Sequence, residues 1–428
     1  MRFRNSFCVA VIFIASVCVT SACSKAQPAG NGTAQAATTQ QQGPPPLSAQ
    51  ERQVYMDAAR TSWNFVNSIT EPSTGLARAH ARYSFVTLWD VAGVIAANYV
   101  AHELGFVNDA TYDAHITRIL ATLSTIDLFE QTAFNRIYDA KTGRMVDNGS
   151  PAKISNIGAG YSSVDIGRLL IWLRILSTKQ PKYAPQATQI VRRLNFRKVL
   201  DDGRLNAVDV SPNGRSRDEF QEMEIGYQQY ALSGFAMWGG RVKGEGLDVT
   251  HDVARIKIYD VPLLTNNTGN DRVMSEPFIM IGVETGFRSP QMARQAAQVL
   301  AAQQARYQKT GIITGVTEDA MPDPPYYFYY YSLWHNDRPF IVEGPGKNKE
   351  VSSPRWVSSK AAFGWSAVFP NAYTELLLRT VQPARTANGF GAGVYEGTLR
   401  PIGVPSLNTA AIIMESALFR IRGRPLLQ

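Results

Sequence analysis

Helical periodicity recurs along most of this chain, and that recurrence limits its possible folds more than any single motif. Residues 87–104 place Val91, Val94, Ile95 and Tyr99 on one face and stop at Gly105. Residues 112–128 repeat the three-and-four spacing with Ile116, Ile119, Leu120, Leu123 and Ile126. The same reading predicts helices over 162–177, 186–200, 219–238, 276–285, 290–308, 360–379 and 408–421. Strand-like pieces at 254–264, 311–316 and 326–334 are too scattered for a doubly wound sheet. Paired helices of about four turns, roughly 60 residues per pair, leave room for six pairs. The expected fold is therefore dominated by α-helix, a toroid of helical hairpins with short β insertions.

The N-terminus reads differently. "MRFRNSFCVAVIFIASVCVTSAC" sets two arginines before an apolar core and small residues, the pattern of a secretory signal peptide over 1–22. It resembles a bacterial lipoprotein signal in which Cys23 becomes the lipidated first residue, although Thr20 stands where leucine is usual. The chain has three cysteines, and Cys8 and Cys18 fall in the leader. Cys23 is then left without a disulfide partner, as a lipid attachment site would be. Ser24 resembles the residue at this place in outer-membrane lipoproteins, so the expected location is the cell envelope, on the periplasmic face of the outer membrane. Residues 24–50 have almost no large apolar side chains and, with Cys23, read as a flexible tether. From Glu51 to Gln428 no second linker interrupts the chain, which predicts a single domain. The formal charge is +8, and loss of the leader removes Arg2 and Arg4 from it. No block of Lys or Arg accompanies this excess, so no nucleic-acid partner is expected.

Two of the predicted helices start alike. Thr87-x-x-Asp90 and Ser162-x-x-Asp165 each precede an apolar run. Capping explains the pattern without any function, since a hydroxyl at the N-cap and an acid at N3 satisfy the helix end and its dipole. A helix N-terminus also favours a carboxylate, which suits a general base or an acceptor for sugar hydroxyls. The acid is expected elsewhere. "RDEFQEMEIGYQQY" carries Asp218, Glu219, Glu222 and Glu224, and on a helix Glu222 would repel Asp218 and Glu219. The competing reading is a solvated acidic face beside Arg215 and Arg217. Glu276, Glu318, Asp319 and Glu396 lie in turn-rich or glycine-rich settings, and Glu415 lies on the last helix, whose expected cap is Asn408. Aromatic residues accompany these acids: Trp89, Tyr161, Tyr227, Tyr230, Trp238, the run 326–331, Trp334, Trp356, Trp365 and Tyr395. Such rings either hold sugars or fill the core. The five histidines show no metal-binding spacing, and no CxxC, GxSxG or phosphate-binding loop occurs. No metal or cofactor is expected.

The segments "TGLARA" (74–79), "TLWDVAGVIAA" (87–97), "SSVDIGRLL" (162–170), "QEMEIGYQQYA" (221–231), "SEPFIMIGVETG" (275–286), "GVTED" (315–319) and "NTAAIIMESALFRIRGRPLL" (408–427) follow the order and spacing of a bacterial family known as domain of unknown function 3131. The resemblance spans roughly residues 54–427, with Ala410 standing where a second asparagine is expected. That family resembles the six-hairpin glycosidase superfamily, an (α/α)6 toroid whose sugar cleft lies at the N-termini of the inner helices. The resemblance implies recurrent acids at Asp90, Asp165, Glu222, Glu276, Glu318, Glu396 and Glu415. The expected activity is an exported lipoprotein glycoside hydrolase, inverting, acting on a bacterial polysaccharide or glucan. Glu222 would be the acid and Glu318 or Asp90 the base. Asp165, Glu276 and Glu396, with Trp89, Tyr161, Tyr227, Tyr395 and Trp334, would bind the polysaccharide or oligosaccharide. Two alternatives stay open: a non-catalytic glycan-binding lipoprotein for polysaccharide assembly or export, and a lyase using Tyr227 and Arg168.

Overall fold

The computed structural model describes residues 44–244, 247, 253–267, 270–323, 328–344 and 355–428. The leader, Cys23, most of the tether and the Tyr326–Tyr327 part of the aromatic run lie outside the described residues. Helices dominate the remainder: α1 (Ala49–Ile69), α2 (Leu88–Glu103), α3 (Asp109–Thr125), α4 (Ser163–Lys179), α5 (Ala184–Arg192), α6 (Phe196–Val199), α7 (Tyr227–Met237), α8 (Glu276–Met280), α9 (Pro290–Thr310), α10 (Ser359–Val368), α11 (Ala372–Thr380) and α12 (Leu407–Arg422). A π-helical turn, Ile281–Thr285, continues α8. The domain boundary expected at Glu51 falls inside the first turn of α1, where Ser48 and Glu51 form a complete capping box.

Six helices pack in cyclic order. α2 packs on α4, α4 on α7, α7 on α8, α8 on α10, α10 on α12, and α12 back on α2. These helices are apolar nearly all round, as expected of elements buried between neighbours. α2, for example, buries every residue from Leu88 to Ala101. The tightest crossings use glycine. A Cβ on Gly167 of α4 would sit 2.5 Å from Ala231 of α7, and one on Gly364 of α10 would sit 2.3 Å from Ile279 of α8. Helices α3, α5, α9 and α11 follow α2, α4, α8 and α10 in the chain, and α1 packs on α12 and α2. Between α7 and α8 the described chain supplies a β-hairpin, Val253–Ile258 with Val261–Asn266, in place of a second helix.

Several expectations change. Residues 219–238 are not one helix: Arg217–Gln221 is a strand paired with Arg204–Val210, and helix begins only at Tyr227. The pairing is a local hairpin with the strand just before it, and this polar segment carries no apolar alternation by which its strand could be read. Gly226 makes the turn into α7 with φ of 92°, and its missing Cβ leaves room for Pro277 and Phe278. Residues 311–316 form no strand. The segments 186–200 and 360–379 each break into two helices. Small antiparallel sheets were more numerous than expected, among them Glu318–Ala320 with Phe328–His335 and Arg338–Glu343. No helix among the described residues is long and apolar enough to cross a membrane.

Candidate active site

The first turns of the six cyclically packed helices supply the side chains of one region. Asp90 comes from α2, Asp165 from α4, Tyr227 from α7, Glu276 from α8, Lys360 from α10 and Asn408 from α12. A cleft of about 450 Å³ opens there, and Asp90, Asp165, Glu222, Glu224 and Glu318 all line it. Helix N-termini offer unpaired N–H groups and positive dipole ends, which is where carboxylates are least costly to place.

The two matching helix starts are caps, but not reciprocal boxes. Thr87 Oγ1 accepts from the Asp90 backbone N–H and donates to Asp90 Oδ2 at 2.9 Å. Asp90 Oδ1 has no partner although it is buried. The hydroxyl of Ser162 accepts from the Asp165 N–H and lies 3.1 Å from Asp165 Oδ1 and 2.8 Å from Glu222 Oε1. Glu222 Oε2 accepts from the backbone N–H of Val164 at 2.9 Å. Glu222 thus caps the start of α4 from outside, and the backbone N–H of Trp89, at the start of α2, bears on the Asp165 carboxylate. Each acid serves a neighbouring helix as well as the cleft.

Burial dominates the acidities. It raises Asp90 to about 6, against the opposing effects of its bond to Thr87 and the charge of Arg168. Burial raises Asp165 to about 6, with Arg136 opposing. Glu222 rises to about 7, first through burial and then through the Asp165 charge. Its repulsion therefore comes from Asp165, not from Asp218 or Glu219, which face outward on the strand. Glu219 is instead bound by Arg217 at 2.7 Å. Glu318, partly buried in the cleft wall, is pushed well above the carboxylate range by burial and by Glu276, with Lys360 opposing. No hydrogen bond holds its carboxyl among the described residues.

Aromatic rings complete the cleft. Trp89 and Tyr227 meet edge to face with centroids 5.7 Å apart. Phe328 and Tyr330 line the wall beside Glu318, and Phe220 stands 41 % exposed at the cleft. Other expected sugar contacts lie elsewhere. Glu396 is held by Arg306 at 2.8 and 3.0 Å and by the Tyr331 hydroxyl at 2.7 Å. Tyr161 donates to the carbonyl of Lys198, Tyr395 to Asp323 and Trp334 to Asp271. None of these four lines the cleft. Glu276 sits behind the floor, paired with Lys360 and accepting from Asn408. Arg136 lines the cleft without having been singled out by the sequence; Asn408 and Tyr330, noted there only as a helix cap and as part of an aromatic run, line it too. Asn408 resembles a cap in sequence, yet Ser406 caps α12.

The lyase arrangement does not form. Burial first, and then Glu276, Glu318 and Glu224, raise the Tyr227 phenol well above its usual range, so it keeps its proton. Arg168 is fully buried and committed to Glu415 at 3.1 Å. Among the described residues no group of three or more His, Cys, Asp or Glu is arranged to hold a metal ion.

The model of a family described as "Protein of unknown function (DUF3131)" matches residues 57–423. No curated protein matches the chain in sequence. Among solved structures, an endo-β-1,2-glucanase from Chitinophaga pinensis in complex with sophorotriose and glucose is similar, with a TM-score of 0.64 and 14% identity over 89% of this chain and 94% of that one. A glucoamylase-like protein from Bacteroides caccae gives 0.62 and 15% over 88% and 94%. An endo-β-1,2-glucanase from Talaromyces funiculosus with β-1,2-glucan gives 0.52 and 11% over 87% and 84%. At these identities the likeness is one of fold.

Proposed function

The chain belongs to the DUF3131 family, and from that membership and the chemistry of its cleft we propose that it is an (α/α)6 glycoside hydrolase acting on a glucan. One observation carries the reading: Asp90, Asp165, Glu222 and Glu318 converge on one aromatic-walled cleft. Glycosidic-bond cleavage needs a protonated carboxyl to donate to the leaving oxygen and an ionised one to activate water. Glu222, at about 7, suits the acid. Asp90, at about 6 and with one oxygen unpartnered, suits the base. Glu318 is a poorer base than the sequence suggested, because burial and the Glu276 charge favour its protonated form; it fits a donor to a sugar oxygen. Asp165 and Tyr227 take sugar hydroxyls, and Phe220, Phe328 and Tyr330 offer ring faces. The fold neighbours that bind sophorotriose and β-1,2-glucan make β-1,2-glucan the first substrate to try.

The mechanism is inverting in this reading, with water between base and anomeric carbon. Reducing-end release measures the cleavage, and the anomer first formed, read by proton NMR, measures the stereochemistry. A retained anomer contradicts the inverting assignment alone. Binding without turnover would favour the glycan-binding alternative. We further read the protein as exported and anchored in the cell envelope through lipid on Cys23, with residues 24–50 spacing the domain from the membrane.

A further inference from the structure

Beneath the cleft, three helices meet at one asparagine. Asn408 Oδ1 accepts from Trp89 Nε1 and from Arg168 Nη1, both at 3.1 Å. Its Nδ2 donates to Glu276 Oε1 at 2.9 Å. Two donors on one side and one acceptor on the other fix the amide's orientation. Arg168 continues the chain inward: its Nη2 donates to Glu415 Oε1, and its guanidinium lies 4.6 Å from the centroid of the Trp89 ring. Trp89 is thereby held at its edge by Asn408 and on its face by Arg168.

Glu415 bonds in turn to Glu284, which accepts from Trp172 Nε1 at 3.0 Å and from the Tyr230 hydroxyl at 2.6 Å. A bond between two carboxyls needs one proton, so Arg168 and this pair together carry no net charge. Glu284 lies on the π-helical turn after α8, a local widening of the helix that recurs at functional sites. A wholly buried arginine with two carboxyls is a costly way to fill a core, since apolar residues of similar volume often stabilise as well or better. What the network does supply is a single fixed geometry, and its outer end is the cleft floor, where Trp89 and Asn408 both line the cavity.

We propose that Arg168 and Asn408 are positioning residues that lock the Trp89 indole in the one orientation that receives a sugar ring. The sugar part of this inference rests on the glycan reading above. The indole part does not, and the experiment separates them. With 5-fluorotryptophan in place of the seven tryptophans, the Trp89 signal is identified by its loss in Trp89→Phe. Arg168→Lys keeps the charge beside Glu415 but cannot also reach Asn408, and Asn408→Ala removes the hub. In both, the Trp89 signal should shift and broaden in thermally stable protein, while most other tryptophan signals hold. A single Trp89 signal at its wild-type position in both variants overturns the proposal. Affinity for a β-1,2-gluco-oligosaccharide, measured in a Glu222→Gln background, should weaken about tenfold in either variant, roughly 1.4 kcal/mol. Unchanged affinity with a moved indole signal overturns the link to sugar binding. If the parent binds no glycan, the glycan reading fails, and the indole signal still decides whether the network positions Trp89.

Discussion

At the scale of single residues, the cleft acids conflict with stability, and this has a sign that can be measured. A carboxyl raised in the folded state binds its proton more tightly folded than unfolded. Its stabilising proton is therefore present at low pH and is lost as pH rises through the folded value. Asp90 moves from 3.8 to about 6, a shift of about two units or at most about 3 kcal/mol. Asp90→Asn should thus raise thermal stability at pH 8 by about 1–3 kcal/mol, with the gain fading below pH 5. Melting curves at the two pH values check this, and an equal gain at both contradicts the burial argument. Activity should follow the same acids: a bell rising near pH 6, as Asp90 ionises, and falling near pH 7, as Glu222 loses its proton. A pH–rate profile flat across that interval contradicts the pairing. Asp90 was legible as a candidate because a helix start favours a carboxylate, and Glu222 because it falls in a cluster of acids. The source of the Glu222 shift was not legible. Spacing suggested Asp218 and Glu219, whereas the neighbour that acts is Asp165, brought near only by the pairing of helix starts in space.

At the scale of elements, the long amphipathic or apolar helices were visible in sequence, and their ends often were too. What sequence hid were elements held by a partner strand rather than by their own periodicity. The strand Arg217–Gln221 exists because it pairs with Arg204–Val210, and the short sheets near Glu318 and Glu396 arise likewise. The two hydroxyl–acid starts answered to both readings: each hydroxyl caps its own helix, Asp165 also reaches the start of α2, and Asp90 keeps one oxygen without a partner. The glycine in "SSVDIGRLL" also has a defined task at the α4–α7 crossing. Gly167→Ala would place a methyl 2.5 Å from Ala231, and the helices would have to part. The expected cost is about 2–3 kcal/mol, read as a lower denaturation midpoint. No change in midpoint would mean that the crossing is looser than described here.

At the scale of the whole molecule, six helices close a cycle of contacts; the starts of α2, α4, α7 and α12 line one cleft, with Glu276 of α8 and Lys360 of α10 paired behind its floor, and this explains how weakly patterned motifs scattered from Thr87 to Asn408 form one site. Helix pairing and chain length supported a toroid of helical hairpins, and the family resemblance gave its (α/α)6 form. Arg136, Arg168, Arg272 and Lys360, in and around the cleft, are each paired with an acid of the protein. If the envelope assignment holds, Cys23→Ser should leave the fold intact and move the protein from the membrane fraction to the soluble fraction, as fractionation of cells would show. Membrane retention in that variant would contradict a lipid anchor at Cys23.

Glycan hydrolysis in this cleft with Glu222 as the acid is tested by reducing-end release from β-1,2-glucan, within a panel of α- and β-glucans, by wild type and Glu222→Gln side by side. The wild type should release reducing ends and the variant, still folded, should lose about 10²–10⁴-fold. Release that survives Glu222→Gln unchanged, or no release by the wild type from any glucan in the panel, would contradict it.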